Sequence, residues 1–330
     1  MKTSNRSAWW LAALVLAVCL LVLGYRHLNR QTGRGDHNPY AYDIDEFKHV
    51  DDDLLTYSEL DAIELEQDDL SALAVDGQDR ILLVAGNRVY TYTRNGKQES
   101  SFETESPATS IAVSEQGKLF LGIEDHIAVY SPAGERIESW TSLGEQGRIT
   151  SLAIVGRNLY AADYGNRLVW RFDLDGKLLG NIEGVQAKNG KAGFLVPSPS
   201  FEVARGRGDS LWITNPGNTA VQEYRPDGAL LRSWGKASME IAGFSGCCNP
   251  AHIAPMESGD IVTAEKGLPR VKVYSPDGEL KAVVAGPRHF DEPVRGTGGK
   301  VLIQDLAVNG AGEILVLDAN AKKIRVFNEN

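Results

Sequence analysis

The sequence predicts an all-β six-bladed propeller built from four-stranded antiparallel blades and preceded by one transmembrane helix. Three observations predict it: a short motif that recurs six times, a tight turn at the same place in most of the repeats, and one uncharged apolar run near the start.

Each repeat opens with an apolar residue followed by alanine: Leu73-Ala74, Ile111-Ala112, Leu152-Ala153, Val203-Ala204, Ile253-Ala254 and Leu306-Ala307. The alanines are spaced 38, 41, 51, 50 and 53 residues apart, a period of the length that marks propellers and other repeat folds. A second apolar run follows each opening (ILLVA, LFLGI, LYAAD, LWITN, IVTAE, ILVLD), and then a third (RVYTY, IAVYS, LVWRF, VQEYR, VKVYS, KIRVF). The turns RNGK, PAGE, LDGK, PDGA and PDGE come next; their glycines supply the positive φ that tight hairpins need. Most units add a fourth strand, such as LLRSWG or LKAVVAG. Four short strands repeated six times make a propeller.

The last unit stops at KKIRVFNEN without a fourth strand, and residues 59–67 (ELDAIELEQ) precede the first unit. The early segment is expected to fill the last blade, which closes the ring and leaves no long open edge.

Residues 8–24 (AWWLAALVLAVCLLVLG) carry no charge. As a helix they span about 25 Å, against an apolar bilayer core of about 30 Å. Ser7 and Tyr25 extend the run, and Trp9 and Trp10 suit the membrane interface. A cleaved signal peptide is the alternative, but no small-x-small cleavage site follows. Basic residues flank both sides (Lys2 and Arg6; Arg26, Arg30 and Arg34), so charge does not set the orientation. A large domain after a signal-anchor is expected on the extracytoplasmic side. The organisation expected is an anchor at 1–25, a polar linker at 26–56 and the propeller at 57–330.

The net charge is −10, and the first 35 residues hold five basic residues and no acid, so the remainder stands near −15. Such a body lacks the cations that neutralise phosphates, which argues against nucleic acid and against flat docking on anionic lipid. The expected partners are the membrane, through residues 8–24, and a protein or small molecule on the propeller, with the chain a monomer or part of a membrane complex. Three cysteines, two of them adjacent, do not make a disulfide framework.

The repeats follow the pattern IAVxxxGxIxVxDxxxxRVxVYxxDG across all six units and resemble NHL repeats. The blade 5 segments FSGCCNPAHIA and TAEKGLPRVKVYSPDGE resemble a group of bacterial membrane-associated NHL proteins. That resemblance implies a propeller that serves as a binding platform, a lyase or an extracellular sensor; it assigns no reaction.

Long insertions between successive units (184–199, 235–250 and 286–301) share one face with the turns after the second strands, and function is expected there. Cys247-Cys248-Asn249-Pro250 with His252 is the sharpest local feature. The cysteines are packed thiols, a vicinal disulfide, or ligands and redox groups for a soft metal such as copper. Aligned on the anchor alanines, the residues two before are Ala72, Ser110, Ser151, Glu202, His252 and Asp305. Three consecutive blades thus offer Glu, His and Asp at one level, for a metal such as zinc, for general-base chemistry, or as an ordinary polar ring. His289, with Arg288 and Arg295, lies in the last insertion and could join from above; a three-histidine zinc site would need His126, His252 and His289 together. Glu265, Lys266 and Arg270 in the blade 5 turn either pair with one another or recognise an acidic ligand. Trp140, Trp170, Trp212 and Trp234 are expected in the inter-blade core. No P-loop, nucleophile elbow or dinucleotide fingerprint is present. A tethered binding scaffold is the leading function. The alternative is a metal- or redox-active propeller, a lyase, hydrolase or accessory to a membrane redox complex, built around Cys247, Cys248 and His252.

Overall fold

The structure, a computed structural model, describes residues 44–184, 194–290 and 303–330, together with Trp10, Val18 and Val22. The chain divides into Met1–Ile44 and Asp45–Asn330. In the first part Trp10, Val18 and Val22 are helical and exposed; the rest of the run at 8–24 lies outside the described residues. Among the described residues no helix is long and apolar enough to cross a membrane.

Two 3-10 turns, Ile44–Lys48 and Asp52–Leu54, precede the ring. Blade 1 comprises strands Leu70–Val75, Ile81–Ala85, Arg88–Tyr92 and Gln98–Glu103; blade 2, Ser110–Val113, Leu119–Ile123, His126–Tyr130 and Arg136–Ser139. Blade 3 has Ile149–Val155, Asn158–Asp163, Leu168–Asp173 and Leu178–Ile182; blade 4, Val203–Arg205, Leu211–Asn215, Ala220–Tyr224 and Leu230–Trp234. Blade 5 has His252–Pro255, Ile261–Glu265, Arg270–Tyr274 and Leu280–Ala285. Blade 6 has Ile303–Val308, Ile314–Asp318 and Lys323–Glu329, completed by Tyr57–Glu59 and Ile63–Glu64 from the start of the ring. The closing pairs include Tyr57 with Glu329 and Ile63 with Ile324. The strands of each blade are called a to d in order.

The burial pattern follows from position in the blade. Strand b is covered on both faces by neighbouring blades, and Ile81–Ala85, Leu119–Ile123 and Ile314–Asp318 are buried at every residue. Each such Leu, Ile or Val adds about 1.5–3 kcal/mol on burial. Strand d is outermost, and Leu230–Trp234 is exposed along nearly its whole length.

The turn glycines between strands c and d do more than accept positive φ. A Cβ on Gly176 would come within 2.6 Å of the Trp140 ring, and one on Gly278 within 2.6 Å of Trp234. Gly96 and Gly134 sit in the same way against Ile63 and Phe102. Each of these turns therefore nests under an apolar side chain in, or just after, strand d of the preceding blade. Trp140, Trp212 and Trp234 are core residues, as expected; Trp140 packs between Phe120 and Phe172 at centroid distances of 5.6 and 5.2 Å.

Hydroxyls near the channel tie the first blades together. Ser71 Oγ donates to Ala108 O (2.9 Å), Thr109 Oγ1 to Ile149 O (2.7 Å) and Thr150 Oγ1 to Phe201 O (2.7 Å). Each bond joins a blade to its successor.

Candidate functional site

The ends of strand b and the third residues of strand c form a recurring lock. Trp170 Nε1 donates to Asp163 Oδ2 (2.9 Å), Asn215 Nδ2 to Gln222 Oε1 (3.3 Å), Lys272 Nζ pairs with Glu265 Oε1 (2.8 Å), and Arg325 Nε with Asp318 Oδ2 (2.8 Å). These polar turn residues hold blades 3 to 6 in shape. Trp170, half-buried, serves this lock as well as the core.

In blade 5 the lock is wholly buried. Glu265 accepts from Arg270 Nε and Nη2, both at 2.8 Å, and from Ser245 N at 2.6 Å. Arg270 also donates to Met239 O (2.9 Å), and Lys272 Nζ to Ile241 O (3.0 Å) and Gly243 O (2.6 Å). Glu265 and Arg270 thus pair with each other and clamp the insertion before blade 5. Burial works against the Glu265 charge, but Lys272 and Arg270 outweigh it and hold the carboxyl below its usual range. Burial pulls Lys272 down to about 8 despite Glu265. Lys272 and its grip on the loop were not singled out from the sequence; its signal is a lysine between two valines in the middle of strand c, RVKVY.

At the channel end near these turns, Glu202, His252 and Asp305 converge from blades 4, 5 and 6. His252 opens strand a of its blade opposite Ala264 near the end of strand b, so the trio lies on the face of the b–c turns. His252 Nδ1 is 3.1 Å from Glu202 Oε1 and 3.8 Å from Asp305 Oδ1. Backbone amides position the acids: Leu73 N and Leu306 N each donate to Asp305 at 2.7 Å, and Glu202 N donates to Thr214 Oγ1 at 2.9 Å. A chain of contacts therefore runs from blade 4 through blades 5 and 6 to blade 1.

The three side chains line a cavity of about 500 Å³ at the centre of the ring, with Ser110, Ser151 and Gln304. Ser110 Oγ is buried and finds no hydrogen-bond partner among the described residues. Burial and the Glu202 charge push Asp305 up to about 7, against the opposing pull of His252 and two backbone amides. Burial lowers His252, but its bond to Glu202 and the charges of Glu202 and Asp305 more than offset this, and the net shift is upward. Near neutral pH the trio therefore shares a proton between an imidazole and a carboxyl. Its ligand atoms all lie within 4.8 Å of one another, so the same residues offer a donor set for a divalent ion such as zinc after a small contraction.

The other expected site residues are placed elsewhere. Cys247 is exposed and Cys248 half-buried, with free sulfurs 3.6 Å apart. The flanks of the loop are buried, but its tip is not. Asn249 braces the loop from inside, donating to Ser245 O (2.5 Å) and Lys266 O (3.0 Å). Lys266 does not join Glu265 and Arg270; its amine donates to Ser198 and Ser200. His289 Nδ1 accepts from Gly286 N (3.2 Å) and its ring meets Phe327 edge-on, so it does not reach the trio's donor set. His126 pairs with Asp125 and Glu105 instead of His252. Arg295 lies outside the described residues.

No family model matches the chain, and no curated protein matches it. Solved propellers do. The fold is similar to a streptogramin B lyase (TM-score 0.55, 11% identity, 84% of this chain and 99% of that one). It is similar to virginiamycin B lyase from Staphylococcus aureus (TM-score 0.56, 11% identity, 83% of this chain and 100% of that one) and to the WD40 propeller domain of Doa1 (TM-score 0.55, 15% identity, 83% of this chain and 97% of that one). At these identities the likeness shows the fold alone.

Proposed function

We propose that this protein is a membrane-tethered NHL-type binding propeller that takes a small cationic ligand at the channel mouth between blades 4, 5 and 6. The observation that carries the reading is the convergence of Glu202, His252 and Asp305 in one cavity large enough for a small molecule. Two carboxyls face one imidazole there, so an entering cation replaces the shared proton and relieves the repulsion between the acids. The NHL-like repeat pattern supports a binding platform, and the apolar run at 8–24 supports a tether with the propeller on the extracytoplasmic side.

The test titrates the full chain in detergent with small primary amines and size-matched carboxylates, observing the imidazole signals of His252. Amines are expected to bind and to lose about tenfold or more in affinity in Glu202→Gln, since a charge-assisted contact is worth about 1.5–3 kcal/mol. Equal binding of carboxylates, or amine binding indifferent to this substitution, contradicts the reading. Membrane fractionation of the full chain against a chain lacking residues 1–25 tests the tether, which predicts release of the shortened chain.

A second reading, proton-transfer catalysis at the same residues, is favoured by Asp305. A carboxyl raised to about 7 beside an imidazole is an acid–base pair matched to neutral pH. Two lyases among the similar folds agree with it without assigning a substrate.

A further inference from the structure

Gly246, Cys247 and Cys248 form the tip of the insertion that leads into blade 5, and the chain on both sides of the tip is fixed. Ser245 N donates to buried Glu265, and Asn249 donates to Ser245 O and Lys266 O while accepting from Lys266 N at 2.9 Å. Behind them Arg270 and Lys272 hold Met239, Ile241 and Gly243 by their carbonyls. Gly246 takes φ +69, a conformation that costs glycine little, and turns the two cysteines outward. A buried ionic frame therefore presents two adjacent thiols at an accessible point.

The two sulfurs differ in access and touch each other. Cys247 is exposed, Cys248 is half-buried, and Sγ to Sγ is 3.6 Å. The pair lacks the donors of a closed metal site: among the described residues, the group able to hold an ion contains neither sulfur.

We propose that Cys247 and Cys248 form a dithiol–disulfide couple that exchanges with an incoming disulfide, either a small-molecule disulfide or an exposed one on a partner protein. The Cys247 thiolate attacks one sulfur of that disulfide, forming a mixed disulfide and releasing one thiolate. The Cys248 thiolate then attacks Cys247 Sγ, closing the vicinal disulfide and releasing the second thiolate. The protein loses two electrons and two protons, and the incoming disulfide is reduced to two thiols. An exposed disulfide between neighbouring residues is strained, so the oxidised form is easily reduced again and the couple is reversible. This site is independent of the ligand reading at the channel mouth.

The test equilibrates the full chain in detergent with mixtures of reduced and oxidised glutathione, quenches by alkylation and reads the peptide masses. Wild type is expected to pass between two free thiols and an intramolecular disulfide, with no glutathione adduct accumulating. Cys248→Ser is expected to trap a stable adduct on Cys247. Cys247→Ser is expected to slow the first step about tenfold or more, because the remaining sulfur is half covered. A protein that stays reduced in oxidised glutathione, that accumulates adducts on either cysteine in wild type, or whose two cysteines react at equal rates overturns the proposal. Uptake of one equivalent of added zinc that protects both thiols from alkylation also overturns it, in favour of a metal site. A partner-protein disulfide is distinguished from the small molecule by repeating the exchange with a disulfide-bonded peptide in place of oxidised glutathione; faster exchange with the peptide assigns the protein source, and faster exchange with glutathione the small-molecule source.

Discussion

The two halves of the channel mouth are built on the same repeat and differ in chemistry. In blades 1 to 3 the position two before the anchor alanine holds Ala72, Ser110 and Ser151, and the residue before it is Ser71, Thr109 or Thr150, whose hydroxyl bonds the next blade. In blades 4 to 6 the same positions hold Glu202, His252 and Asp305, preceded by Phe201, Ala251 and Gln304. One half holds neighbouring blades together through neutral hydroxyls that titrate nowhere near neutral pH. The other half makes its blade-to-blade contacts through groups whose charge depends on pH and on what enters the cavity. The ion-paired locks Glu265–Lys272 and Asp318–Arg325 lie within that second arc, in blades 5 and 6, while blade 4 holds the neutral Asn215–Gln222 pair. A repeat fold can therefore place a responsive site in one arc of its ring while the other arc keeps the geometry.

The contrast breaks most visibly at the buried lock of blade 5. Glu265→Ala leaves Arg270 and Lys272 buried without their anion and is expected to destabilise the propeller by about 3–5 kcal/mol in urea unfolding. A loss below about 1 kcal/mol would mean that these cations find water or other partners.

At the channel mouth, changing pH acts through the charged arc. The native Asp305 pKa, about 7, exceeds the ordinary value of 3.8, so between these limits the folded state holds a proton that the unfolded state has released. The same sign applies to His252, whose pKa is raised. The contribution of this site to stability is therefore fully present below about pH 4 and is lost as pH rises through about 7, by something on the order of 1 kcal/mol or more. In urea unfolding at several pH values, Asp305→Asn is expected to flatten that slope; an unchanged slope would remove Asp305 as its source.

In the neutral arc, Thr150→Val removes the hydroxyl that Phe201 O accepts and is expected to cost about 1 kcal/mol at every pH. It should leave amine binding at the channel mouth unchanged, which the same titration checks. A shift in amine affinity would show that the two arcs are coupled.

Much of this architecture was legible in the sequence. The anchor alanines, the apolar runs and the Gly-containing turns gave blades, order and ring closure, because strand period and turn chemistry are local. Aligning the anchors also brought Glu202, His252 and Asp305 to one level, since equivalent repeat positions occupy equivalent places around a ring. What stayed hidden depends on contacts between repeats. The turn glycines at 96, 134, 176 and 278 read as positive-φ hairpin positions, and their nesting under a neighbour's side chain needs the preceding blade in place. Lys272 reads as a surface charge until the 235–250 insertion folds over it. Cys247 and Cys248 could not be ranked between packed and exposed for the same reason: the clamp that turns them outward includes Glu265, Lys266, Arg270 and Lys272, all 17 or more positions away.

The most direct test of the channel-mouth account follows the His252 imidazole by NMR across pH 4 to 10 in the full chain and in Asp305→Asn, with His252→Gln to assign the signal. The account predicts that His252 loses its proton above the ordinary value of 6.5, with a second inflection near 7 that reports Asp305 and disappears in the variant. A single transition at about 6.5, the same in both proteins, would contradict it.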